Sequence, residues 1–176
     1  MRFAAASLSG VYTVDLEPIA DDRGTFARIF DAAAFAQAGL HASFSQAAVA
    51  TNVRAGTLRG LHLQAAPLAE VKIVRCTRGS AFDVLVDARP DSPTYGLWES
   101  FALDATRTEA LYVPAGIAHG YQTLAADTTL EYLISAPYDA ALQRGFRWDS
   151  PALEIPWPAA PAVISARDAA LEAFVP

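Results

Sequence analysis

The chain is built from short runs rich in β-branched and aromatic residues, each closed by a turn signal. Residues 11–16 and 25–30 read as strands on either side of a turn marked by Asp21, Asp22 and Gly24. Further strand-like runs follow at 44–52, 57–64, 71–77, 81–87, 98–103, 110–113, 120–124 and 129–135. ArgAlaGly at 54–56, ArgGly at 78–79, ArgProAspSerPro at 89–93 and ProAlaGly at 114–116 separate them. Residues 31–40 (DAAAFAQAGL) break the pattern and predict a helix. Asp31 is suited to cap its start, alanines fill the middle and Gly39 ends it. A second short helix fits 167–173, after an irregular Pro- and Ala-rich strap (SPALEIPWPAAPAV). Many short strands at regular spacing predict an all-β sandwich or barrel, a single domain over 1–176 with one or two short helices.

Composition and charge narrow the partners. The 176 residues are 53% hydrophobic and 18% charged, which specifies a folded chain. The net charge of −6 argues against nucleic acid or an anionic membrane surface. An anionic small molecule would need a local cluster of cations, because the overall field repels it. Cys76 is the one cysteine and sits in the apolar run VKIVRC, where a buried small hydrophobe is expected. No disulfide framework can form within the chain, which fits a reducing cytoplasm. The start, MRFAAASLSGVYTV, is interrupted by Ser7, Ser9 and Gly10, so no signal peptide is expected there. No run approaches the ~18 apolar residues of a membrane span.

The candidate chemistry lies inside the strands. Residues 57–64 read TLRGLHLQ, with Arg59 and His62 in an otherwise apolar stretch. In a regular strand these two side chains would point to opposite faces. Gly60 between them predicts a bulge that turns both to one face. In the next strand Lys72, Val74 and Cys76 share one face, and Val71, Ile73 and Arg75 the other. A lysine in such a strand is either paired or functional, or else the strand is an edge and the ammonium reaches solvent. ProAlaGlyIleAla at 114–118 makes a tight turn that delivers His119 toward a barrel interior. Tyr132, in LEYLIS, is by itself an ordinary core tyrosine with its hydroxyl at an edge.

Taken together these residues are similar to the dTDP-4-dehydrorhamnose 3,5-epimerase family, sugar-nucleotide epimerases with a cupin-type double-stranded β-helix, or jelly roll. The resemblance is carried by DDRGTF at 21–26, LRGLHLQ at 58–64, VKIVRCTRGSAFDVLVDARPDSPTYG at 71–96, VPAGIAHGYQTL at 113–124, RGFRWDSP at 144–151 and ISARD at 164–168. It implies His62 as general base, Asp168 as the carboxylate that orients it, Tyr132 as general acid and Lys72 beside the substrate carbonyl oxygen. It implies Arg23 and Arg59 as diphosphate ligands. Phe26, Arg28, Gln46, His119, Tyr138, Gln143 and Arg167 complete the implied substrate-binding set. It also implies a homodimer that exchanges N-terminal strands, so that part of each pocket comes from the partner. No cofactor and no metal is implied.

The implied substrate class is a nucleotide-diphosphate 4-keto-6-deoxyhexose. Its ketone at C4 acidifies the protons at C3 and C5, so inversion needs a base on one side of the ring and an acid on the other. Imidazole held by a carboxylate suits the first task and a neutral phenol the second. The chain departs from the family pattern at several places. Arg28 stands where Glu is common, Ala48 for Asn, Ile19 for an aromatic residue, Gln143 for Glu and Leu133 for Lys. These departures leave the proton-transfer set intact and alter the substrate shell. Arg28 could add phosphate affinity or pair with an acid such as Asp21. Three alternatives use the same fold, one of them a relative that epimerises only one carbon or isomerises the keto group. A metal-dependent cupin enzyme would draw on His62, His119 and Glu70. A non-catalytic sugar-nucleotide-binding cupin would need Arg23 and Arg59 but neither the His62–Asp168 pair nor Tyr132.

Overall fold

The computed structural model describes residues 1–176. In chain order the elements are β1 (Arg2–Ala5), β2 (Tyr12–Asp15), β3 (Ile19–Asp21), β4 (Gly24–Phe26), α1 (Ala32–Gln37), β5 (Gln46–Asn52), β6 (Thr57–Gln64) and β7 (Lys72–Arg78). They continue with β8 (Ser80–Asp87), β9 (Trp98–Asp104), β10 (Glu109–Val113), β11 (Ile117–Thr123), β12 (Thr128–Ile134), β13 (Gln143–Gly145), β14 (Val163–Ile164) and α2 (Ala166–Ala169). One sheet runs β1-β2-β10-β7-β12-β5. The other runs β13-β6-β11-β8-β9, with β14 added parallel to β6. β3 and β4 form a separate hairpin. The two sheets enclose a jelly-roll barrel, the all-β architecture expected.

Strand periodicity sorts the side chains into three layers. Val74, Cys76, Leu85, Leu111, Tyr121 and Leu130 point into the barrel and form the central core. Ile73 points outward and packs with Val14, Phe35 and Tyr112 on the outer face of the first sheet. Val84, Val86 and Ala118 point outward from the second sheet, where Leu153 and Phe174 of the C-terminal strap cover them. β7 lies between β10 and β12 rather than at an edge, so Lys72 does not reach solvent past a free strand.

Helix α1 forms where the alanines predict it. Asp31 caps it by accepting from the amides of Ala33 and Ala34, and Gly39 takes a positive φ of +72° just past its end. Its one buried residue, Phe35, meets Phe3, Phe30 and Tyr112. Burial of such a side chain contributes ~1.5–3 kcal/mol. β4 stops at Phe26, shorter than the expected 25–30, because Ala27 and Phe30 leave the hairpin to pack beneath α1. β11 starts at Ile117, earlier than expected, which puts His119 inside the strand. No helix is long and apolar enough to cross a membrane.

Candidate active site

The kink at Gly60 builds the site. His62 pairs with His119 and Arg59 with Tyr121, so β6 places three steps opposite two on β11. The extra residue is the bulge, and it turns Arg59 and His62 to the same face as His119 and Tyr121. Gly60 has φ +118°, and a Cβ added there would lie 2.4 Å from the Gly120 Cα. Only glycine satisfies both conditions.

Below the bulge opens a cavity of about 580 Å³, lined among others by Arg59, His62, Lys72, His119, Tyr132 and Asp168. That volume lies in the ~300–1,000 Å³ range of small-molecule sites. His62 stands on the second sheet and Tyr132 on the first, so imidazole and phenol occupy opposite walls. The imidazole is held from behind. Asp168 accepts from His62 Nε2 at 2.9 Å through Oδ1 and from the Gly60 amide at 3.2 Å through Oδ2. The chain delivers Asp168 by running β14 parallel to β6 and starting α2 on Ser165, whose Oγ caps the Asp168 amide. Burial opposes ionisation of Asp168. The His62 hydrogen bond, its charge and the Gly60 amide outweigh that and hold the carboxyl below its usual range. With Nε2–H bound to Asp168, Nδ1 of His62 is left as the free basic nitrogen.

The other walls are polar in a defined way. Lys72 is buried and its Nζ lies 2.8 Å from the Glu70 carboxylate, itself a cavity residue. Arg59 donates from Nε to Asn52 Oδ1 at 2.9 Å, and Asn52 exchanges hydrogen bonds with the Tyr121 hydroxyl. Burial pushes the Tyr132 phenol well above its ordinary pKa, and Tyr121 and Asp83 push the same way. Tyr132 is therefore neutral over the working range and able to donate. Arg167 and the exposed Tyr138 stand at the mouth, and Gln143 reaches toward the buried Gln64.

The implied residues divide into two groups. His62, Lys72, Tyr132, Asp168, Arg59, His119, Tyr138, Gln143 and Arg167 line this cavity. Arg23, Phe26, Arg28 and Gln46 do not. Gln46 pairs with Ile134, a cavity residue, but sits exposed at the end of edge strand β5. Arg23 lies at the tip of the exposed β3–β4 hairpin, paired with Asp21 at 2.6 Å. Arg28 stacks over the Phe26 ring at 5.8 Å, so Asp21 is taken by Arg23 and not by Arg28.

Sequence reasoning missed Asn52, Tyr121 and Asp83, and used Glu70 only as a weak metal ligand. Asp83 had a signal: a carboxylate within the apolar strand AFDVLVD, on the same parity as Ala81 and Leu85. No three His, Cys, Asp or Glu side chains converge as a metal-ligand set. His62 and His119 are tied to different carboxylates, and Glu70 to Lys72.

Comparison with known proteins gives the family and the fold. The family model described as dTDP-4-dehydrorhamnose 3,5-epimerase matches residues 5–175. The dTDP-4-dehydrorhamnose 3,5-epimerase of Sinorhizobium fredii is 43% identical over 158 residues, 90% of this chain and 81% of that protein. The dTDP-4-dehydrorhamnose 3-epimerase of Streptomyces niveus is 39% identical over 96% of this chain and 81% of its own length. A crystal structure of dTDP-4-dehydrorhamnose 3,5-epimerase from Bacillus anthracis, with TDP and PPi bound, superposes with a TM-score of 0.95 at 33% identity. It covers 98% of this chain and 99% of the other. Sequence and fold thus match from end to end, and the chain belongs to the dTDP-4-dehydrorhamnose 3,5-epimerase family.

Proposed function

We propose that the protein epimerises a nucleotide-diphosphate-linked 4-keto-6-deoxyhexose of the dTDP-4-dehydro-6-deoxyglucose type, inverting C3, C5 or both. The observation that carries this reading is the placement of the Asp168-bound His62 and of Tyr132 on opposite walls of one cavity. His62 Nδ1 takes the proton next to the ketone, and the electron pair of the broken C–H bond moves onto the C4 oxygen. Asp168 stabilises the imidazolium that results. Lys72 faces the enolate oxygen, where a directed donor is worth ~3–4 kcal/mol. Tyr132 delivers a proton to the opposite face of the ring carbon and the ketone re-forms. General acid–base transfer of this kind supplies roughly 10²–10⁴ in rate. Arg59 and Arg167 at the mouth supply the local positive charge that a diphosphate needs in a chain of net charge −6.

The arm residues enter through a dimer in this reading. The β3–β4 hairpin exposes Ile19 at 65% and Phe26 at 62% while holding Arg23 and Arg28 away from its own cavity. Exchange of N-terminal strands between two copies would place that hairpin at the partner's cavity and bury those side chains. The single buried cysteine supports a reducing, cytoplasmic setting.

A one-carbon variant of the reaction is favoured by the resemblance to the Streptomyces niveus 3-epimerase. Incubation with dTDP-4-dehydro-6-deoxyglucose in heavy water separates the two. Deuterium at both C3 and C5 supports the double epimerase, and deuterium at C3 alone supports the single one. A 4-keto sugar nucleotide returned without label at either carbon would sink the epimerase reading.

A further inference from the structure

The cavity holds two histidine–carboxylate pairs, and they are built differently. Asp168 uses both oxygens, one on His62 and one on the Gly60 amide. Asp83, on β8 opposite Tyr121, is wholly buried behind the cavity wall. Its Oδ2 accepts from His119 Nε2 at 2.7 Å. Its Oδ1 has no protein hydrogen-bond partner, the one buried side-chain polar atom of the chain in that position. A buried carboxylate oxygen without a protein partner is uncommon, and a role in neighbouring chemistry is one of its recognised explanations. The neighbour here is Tyr132, whose ring meets the edge of His119 at a centroid distance of 6.0 Å.

We propose that Asp83 is a positioning residue on the acid side of the cavity. Through His119 it fixes the ring that packs against Tyr132, and so the direction in which that phenol donates, and its carboxylate adds negative charge beside the buried phenol. The inference rests on the epimerase reading above. Tyr132 is faced by Lys72 from β7, by His119 and Tyr121 from β11, by Arg59 and His62 from β6 and by Asp83 from β8. β5 brings no charged group: Ala48 pairs with Tyr132, and Asn52 holds Arg59 and Tyr121. The charge of Lys72 is offset by Glu70, which leaves Arg59 as the cation drawing the phenol toward phenolate and Asp83 as the carboxylate opposing it.

Asp83→Asn keeps the shape and an acceptor for His119 while removing the charge. The test follows two rates with dTDP-4-dehydro-6-deoxyglucose in heavy water: deuterium uptake, which reports the base side, and net inversion, which also needs the acid side. Asp83→Asn is expected to lose roughly tenfold in inversion, about 1.4 kcal/mol, with uptake little changed. The alkaline limb of its pH–rate profile moves to lower pH, because the negative charge no longer opposes ionisation of Tyr132. Combined with Tyr132→Phe, the substitution adds no further loss. Both rates falling together with the alkaline limb in place, or neither rate changing, overturns the inference alone. Wild-type protein that takes up no deuterium overturns the epimerase reading and this inference with it. If Asp83→Asn does not fold, nitrogen-15 spectra of histidine-labelled wild type decide. His119 is expected as the Nε2–H tautomer, and the Nδ1–H tautomer overturns the proposal.

Discussion

Asp168→Asn is the sharpest perturbation of the base. Both partners of Asp168 are donors: His62 Nε2 at 2.9 Å and the Gly60 amide at 3.2 Å. A carboxylate accepts from both. An amide of the same shape offers one acceptor and one donor, so one partner is lost whichever way it sits. If the amide NH₂ faces His62, the ring proton shifts to Nδ1 and the basic nitrogen is blocked. Hydrogen bonds to a charged group are worth ~1.5–3 kcal/mol, and each ~1.4 kcal/mol is tenfold in rate. The loss in kcat is therefore expected at roughly 10- to 150-fold, with KM within about threefold because Asp168 stands behind His62 rather than at the phosphate end. Steady-state conversion of dTDP-4-dehydro-6-deoxyglucose measures both. Thermal unfolding across pH supplies a second readout. The Asp168 carboxyl is held below its usual range, so its stabilisation is fully present above about pH 4 and is lost as pH falls through the folded value. The Tm advantage of wild type over Asp168→Asn should be full at pH 7 and shrink in acid. A folded variant with kcat within threefold of wild type would refute the claim that Asp168 orients the base.

Three further outcomes follow from the same geometry. Gly60→Ala drives a Cβ to 2.4 Å from the Gly120 Cα at φ +118°, and chemical denaturation should show a loss of ~3 kcal/mol or more. Asp87 is buried, which opposes its ionisation, yet Arg89, Ser92 and Thr94 bring it down to about 2. Asp87→Asn should therefore cost ~2 kcal/mol at pH 7, a deficit measured by unfolding at successive pH values that disappears as pH falls from about 4 toward 2. Mixing His62→Ala chains with Arg23→Ala chains should recover activity that neither has alone. Only a dimer in which one chain's hairpin completes the other's cavity pairs an intact His62 with an intact Arg23, and no recovery after confirmed subunit exchange would count against the arm.

Much of this was legible in the sequence where a local rule met a clear violation. Gly60 between Arg59 and His62 announced the bulge, because strand parity would otherwise separate two polar side chains that the apolar context forces to share a cavity. The alternation around Lys72 correctly divided Val74 and Cys76 from Ile73, since a strand covered on both faces leaves each parity one destination. β1, β3, β13 and β14 were not read from the sequence. They are two to four residues long, and pairing partners rather than intrinsic preference define them. Asp83 was passed over for a related reason. Its parity was readable, but the value of its bare oxygen depends on His119, which is 36 residues away. The positions of Arg23, Phe26 and Arg28 were least accessible, because a hairpin's direction is set by what it packs against, and Gln46 sits exposed at the end of edge strand β5.

The reaction turns on His62 taking the proton from the carbon beside the ketone. Its most direct test is positional deuterium uptake from heavy water into dTDP-4-dehydro-6-deoxyglucose, comparing wild type with a folded His62→Ala variant. Wild type should place label at C3, with or without C5, and the variant none above the uncatalysed background. Undiminished uptake by His62→Ala would contradict it.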